Sequence, residues 1–132
     1  MKLITAAAAC ALAFAVLFDG HAYADQVSLD VRVDNVRLDQ GAVRVALYDE
    51  STWLGEPVVG EQIESTATSV TLRLNVPASG RYGLAAYQDT NRDGRLNRNV
   101  VGMPSEPTAF SNDAPMRFGP PRFADAALDV ST

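Results

Sequence analysis

From Asp89 to Asp93 the sequence Asp-Thr-Asn-Arg-Asp places an oxygen-bearing side chain at every second position, and Gly94 follows at once. A backbone that turns tightly at such a glycine can aim several oxygens at one hard cation. Counted as a calcium loop, Asp89, Asn91 and Asp93 fill positions one, three and five. Arg95 would offer its backbone carbonyl at seven, and Asn97 stands at nine. Position twelve is Val100, so the bidentate Glu of such loops is missing, and Arg92, Arg95 and Arg98 oppose the acidic charge. The same residue types also describe a loop in which Asp and Asn bond their own backbone. Both readings stand: one structural calcium over residues 89–99, or an Asx-rich turn without an ion.

Other candidates are sparser. Glu106 and Asp89, or Asp49 and Glu50, are acid pairs of the kind that hydrolyse glycosides when held about 5–9 Å apart. Trp53 is the only tryptophan, and it reads either as a ring stacking on a sugar or as a loop residue folded over the core. Phe110 and Asn112 belong to a proline-rich region, 102–123, that could build a rim pocket or plug one end of the fold. Ligand contacts are therefore expected, if anywhere, at Trp53, Glu106, Phe110 and Asn112.

Compartment follows from the first 24 residues. Met1-Lys2 is a basic start, residues 3–18 carry no charge, and Ala22 and Ala24 have the spacing read by signal peptidase. As a helix the uncharged run reaches about 24 Å, short of a bilayer core of roughly 30 Å. Cleavage after Ala24 is expected, with residues 25–132 as one periplasmic or secreted domain that keeps no membrane span. Cys10, His21 and Lys2, each the only residue of its type, would leave with the leader. What remains has no Ser-His-Asp or Cys-His nucleophile, no ordinary zinc site and no Schiff-base lysine. The formal charge of −5 argues against nucleic acid as a partner, because phosphate tracking needs a basic surface. With 47% apolar residues, the chain has the composition of a globular domain.

The elements that must hold these residues read as strands. Val27, Leu29, Val31 and Val33 alternate with polar residues, as do Val43, Val45 and Leu47, and then Val70, Leu72, Leu74 and Val76. Period two buries one face and wets the other. Asp39-Gln40-Gly41 suggests a turn that makes the first two strands a hairpin. Residues 58–63 suggest a short, weak strand. Tyr82, Leu84 and Ala86 share a face within 81–88, residues 89–122 are mostly loop, and 127–130 closes the chain. About seven short strands without a helical stripe predict an all-β antiparallel sandwich.

Several motifs, in order, resemble a bacterial domain-of-unknown-function family, number 2141. They are Gly80-Arg-Tyr82-Gly-Leu-Ala-Ala86, Asp89-x-Asn91-x-Asp93-Gly94-x-Leu96-Asn97, Gly102-x-Pro104-x-Glu106, Phe110-Ser-Asn112 and Phe118-Gly-Pro120-Pro-x-Phe123-x-Asp125-Ala126. The segment around Gly41 with Val43-Arg-Val45-Ala-Leu47-Tyr48-Asp49 is similar too, so the likeness spans about residues 27–131. The chain departs from the family at Thr108-Ala109, where Tyr-Gly is common, and at Asn97, where Asp is common; the second change removes charge from the ion loop. The turn Pro77-Ala-Ser-Gly80-Arg-Tyr82 also resembles the corner of prealbumin-like sandwiches, such as carboxypeptidase regulatory domains and collagen-adhesin B-type repeats. The resemblance implies an exported protein without an assigned activity. Together these readings lead us to expect a non-catalytic module with a protein or glycan ligand, a carbohydrate-binding accessory domain as the alternative, and a carboxylate hydrolase as a distant third.

Overall fold

The structure, a computed structural model, describes residues 1–6 and 26–131. The alternating segments form strands, and the alternation decides what each strand buries. In the first sheet β1 (Lys2–Ala6), β2 (Val27–Asp34) and β5 (Val70–Val76) lie in the order β1-β2-β5. In the second, β4 (Val59–Glu64), β3 (Ala42–Tyr48), β6 (Gly80–Asp89) and β7 (Thr108–Phe110) run β4-β3-β6-β7, and β8 (Ala127–Val130) pairs with the other half of β6. All these pairings are antiparallel. Beyond them the described residues hold a one-turn 3₁₀ segment, Ser111–Asp113, and the short helix α1 (Phe123–Ala126), which the sequence did not announce. No helix among the described residues is long and apolar enough to cross a membrane.

The two sheets close on one core. Val27, Leu29, Val31 and Val33 meet Val43, Val45, Leu47, Leu74, Val76 and Leu84, all nearly devoid of exposed surface. The expected antiparallel sandwich is therefore what the chain forms. Each buried Val or Leu contributes roughly 1.5–3 kcal/mol of transfer free energy, which no disulfide supplements among the described residues. At the lower corner Tyr82 is buried, and its hydroxyl donates to the Ala78 carbonyl at 2.8 Å. The Pro77–Tyr82 turn is thus tied as a tyrosine corner.

One expectation fails. β2 and β3 do not form a hairpin; they lie in different sheets, β2 pairing with β5 and β3 with β4 and β6. The reason lies in residues 35–41. Val36 is 3% exposed, so it draws the connection across the edge of the core rather than back along the same sheet. Asn35, Asp39 and Gly41 all adopt positive φ, and three left-handed steps redirect the chain repeatedly where a hairpin would need one short reversal. The crossing then bonds to the connection between β4 and β5: Val36 N–H donates to Thr68 O, and Asp39 N–H to Ser65 O.

The expected cleavage after Ala24, together with Cys10 and His21, lies outside the described residues. Lys2–Ala6, the start of the segment read as a leader, pairs with Asp30–Asp34 along β2 and buries Leu3. Seven strands follow residue 26, matching the number expected of the processed chain, and β1 adds an eighth.

Gly41 is the tightest backbone approach in the fold. Its φ is +72°, and a Cβ there would stand 1.9 Å from the Asp89 carbonyl oxygen. Gly41→Ala should therefore cost at least about 2 kcal/mol and lower the melting temperature by about 8 °C or more. A calorimetric melt matching that of the parent chain would contradict the close approach.

Candidate functional site

β6 alternates to its last residue. Gln88 points to the core face and Asp89 to the outer face, and neither has exposed surface. An unpaired carboxylate so buried would cost several kcal/mol, so the loop that follows wraps it with donors. Gly94 N–H donates to Asp89 Oδ2 at 2.8 Å, Asp93 N–H to Oδ1 at 3.2 Å, and Arg44 Nε to Oδ2 at 3.3 Å. Gly94, at φ +75°, supplies the turn that brings its N–H back to the strand end.

Glu106 does the same work from the far end of the loop. It is 7% exposed. Its Oε2 accepts from the Thr90 N–H at 2.8 Å and the Thr90 hydroxyl at 3.2 Å, while Oε1 accepts from the Asn97 N–H at 2.9 Å. Both ends of the loop, and its middle, thus hang on two buried carboxylates. Asp93, exposed, completes the cluster: one ligand oxygen each from Asp89, Asp93 and Glu106 lies within 4.8 Å of the others.

The remaining loop residues sit around Asp93. The amides of Asn97 and Asn91 donate to Asp93 Oδ2 at 2.8 and 3.3 Å, and the Arg95 N–H donates to Oδ1 at 2.9 Å. The Arg95 N–H and then the Asn97 amide hold the Asp93 carboxyl below the usual aspartate range. Asp89, Asn91, Asp93 and Asn97 are therefore brought together as the spacing implied, and Glu106 joins them. That fifth member was expected from the sequence as half of an acid pair and as a ligand contact beside Trp53, Phe110 and Asn112, not as part of the ion loop. The opposing arginines are partly drawn off: Arg92 makes a bidentate pair with Glu64, and Arg98 donates to the Gly102 carbonyl.

Trp53, Phe110 and Asn112 gather elsewhere, on the outer face of the second sheet. Trp53 packs against Tyr48, Phe123 and Phe110 with ring centroids at 5.6, 5.8 and 6.2 Å, and its Nε1 donates to Pro121 O at 2.9 Å. It lies directly over Gly83, where a Cβ would stand 2.6 Å from the indole. Phe110 is 8% exposed. Asn112, at φ 59°, donates to the carbonyls of Asp125 and Ala127. Beside it the buried Ser111 hydroxyl donates to Ala126 O and accepts from the Leu84 N–H. These residues fasten the 110–126 segment to the sheet, so Glu106 and this trio are two places and not one.

As for chemistry, Asp89 and Glu106 do converge, but neither lines the open groove on the same outer face, and both are committed to backbone N–H groups. A glycosidase pair needs room for a water or a sugar between its carboxylates.

The family model described as "Uncharacterized protein conserved in bacteria (DUF2141)" matches residues 31–132. No curated protein and no solved structure matches the chain.

Arg92 holds the exposed Glu64 carboxyl below the ordinary glutamate value of about 4.3. Stability from such a depressed carboxylate is complete above that value and lost as pH falls through the lower folded one. Thermal melts of the parent chain and Glu64→Gln should therefore differ at pH 7, and the difference should shrink as the pH falls below the ordinary glutamate range. An unchanged difference across that range would detach the pair from the loop's stability.

Proposed function

The chain belongs to the bacterial DUF2141 family, and from that premise we propose that it is an exported, non-catalytic β-sandwich module that works by binding. One observation supports this most: the buried carboxylates are consumed by the fold. Asp89 and Glu106 together accept from the N–H groups of Thr90, Asp93, Gly94 and Asn97. A general acid or nucleophile must instead reach its substrate and exchange protons with it. Export rests on the leader-like start, with the basic Lys2, the uncharged run and the small residues at 22 and 24.

The convergence of three carboxylates favours a second element of this reading, one calcium ion held as a staple. Asp89, Asp93 and Glu106 would supply charged oxygens, with Glu106 serving in place of the missing acid at position 100. Asn91 and Asn97 would turn their amides to present oxygen where nitrogen now donates, and the Arg95 carbonyl would complete the set. Only oxygen ligands are offered, which suits a hard cation. Arg44 on Asp89 competes with the ion, so the affinity belongs in the weak range of extracellular modules, about 10⁻⁴ to 10⁻³ M.

Calcium at ten times its dissociation constant should add about 1.4 kcal/mol and raise the melting temperature by roughly 5–10 °C. Asp93→Ala and Glu106→Gln should each abolish the rise. Identical melts with and without several millimolar calcium would leave the Asx-loop reading alone. Turnover on a panel of sugars and esters by the purified chain would overturn the non-catalytic reading.

A further inference from the structure

The outer face of the second sheet carries three rows of side chains that run across the strands. One row is Gln62, Arg44, Tyr87 and Thr108, in register on β4, β3, β6 and β7. The next is Gly60, Ala46, Ala85 and Phe110. The third begins with Tyr48 opposite Gly83, over which Trp53 lies. The middle row is small on three strands and large only at its last position. With rows about 7 Å apart and strands about 4.8 Å apart, the sheet presents a trough. Its floor is about 10 Å long, lies between a polar and an aromatic wall, and is stopped at one end by Phe110. Leu96, Arg98 and Pro104 of the long loop, and Met116 and Pro120 of the later one, raise its sides, giving a cavity of about 740 Å³. That is the size of sites for small organic ligands. Leu54, on its rim, holds φ +58°, a left-handed conformation that a non-glycine residue rarely adopts and that gathers at ligand clamps.

We infer that this trough binds a small amphipathic carboxylic acid, with its apolar body on Gly60, Ala46 and Ala85 and its head at the arginine-bearing wall. The polar lining is rich in donors. Arg44 and Arg98 are both there; each has only part of its guanidinium engaged, Arg44 through Nε with Asp89 and Arg98 through Nη1 with the Gly102 carbonyl. Tyr48 and Tyr87 line the same space, one on each wall, and burial pushes both phenols upward, so each stays protonated at neutral pH. Glu61, at the β4 edge, is the one carboxylate in the lining. A head that only accepts, placed away from that edge, matches this arrangement. The inference rests on the non-catalytic binding reading and names the ligand class for it.

The test is calorimetric titration of the full chain with decanoate, with decanol and phosphatidylglycerol vesicles as comparisons. Saturable one-to-one binding of decanoate is expected, with a change in Trp53 emission relayed through Tyr48. Decanol should bind at least tenfold more weakly. Ala46→Phe, which fills the trough from the solvent side, and Arg98→Ala, on an exposed loop, should each weaken binding tenfold or more while the melting temperature holds. Absence of saturable binding, equal binding of decanol, indifference to both variants, or binding to vesicles alone would each overturn the inference. Decanoate recovered chemically altered would instead keep the site and remove the non-catalytic reading.

Discussion

Two neighbouring polar side chains with no exposed surface, Gln88 and Asp89 at the end of β6, hold the arrangement of everything beyond the strands. They point to opposite faces because a strand alternates. Inward, the Gln88 amide accepts from the Arg37 N–H and donates to the carbonyls of Arg37 and Gln40, which fixes the crossing between the sheets. Outward, Asp89 gathers Arg44 and the first turn of the long loop. A buried polar group left without partners costs about 1–3 kcal/mol, and more if charged. The two connections that pass this point are therefore held to it on both sides, and Gly41 lets them approach the strand end closely.

The two faces of the second sheet follow different rules as a result. The inner face is filled with Val and Leu at the density of any core. Part of the outer face is left low by Ala and Gly and is covered only around its margins. Trp53 and Phe110 cover one side, Asp89 and Glu106 hold the loop that rises on another, and the trough lies between. Strong fastening of the loops and openness between them belong to one design, since a cavity bordered by loose segments would collapse onto its own apolar floor.

The strands were legible in the sequence because a half-buried strand writes its burial as period two. Each residue of the runs Val27–Val33, Val43–Leu47 and Val70–Val76 assigned to the interior is buried. The 127–130 strand matched to the residue. The hairpin misreading came from treating Asp39-Gln40-Gly41 as a local signal when Val36, one apolar residue among polar ones, decided the course of the chain. At the site, the spacing of Asp89, Asn91 and Asp93 was legible because it is local. The part played by Glu106, 17 positions on from Asp89, was not, since nothing local says which distant acid returns to a loop. The trough was invisible for another reason: it consists of what Gly60, Ala46 and Ala85 lack, and only register across strands aligns those absences.

The bond from Gly94 N–H to Asp89 also bears on how the chain ages. Among aspartyl dipeptides Asp-Gly is the one most open to succinimide formation and isoaspartate, because glycine leaves its nitrogen free to attack the preceding side-chain carbonyl carbon. Here that N–H is engaged by Asp89, and the Asp93 carboxylate is engaged by the Arg95 N–H. Both groups that would have to react are thus engaged by other partners while the loop is closed, so the contacts that fasten the loop also bear on the chemical lifetime of the polypeptide.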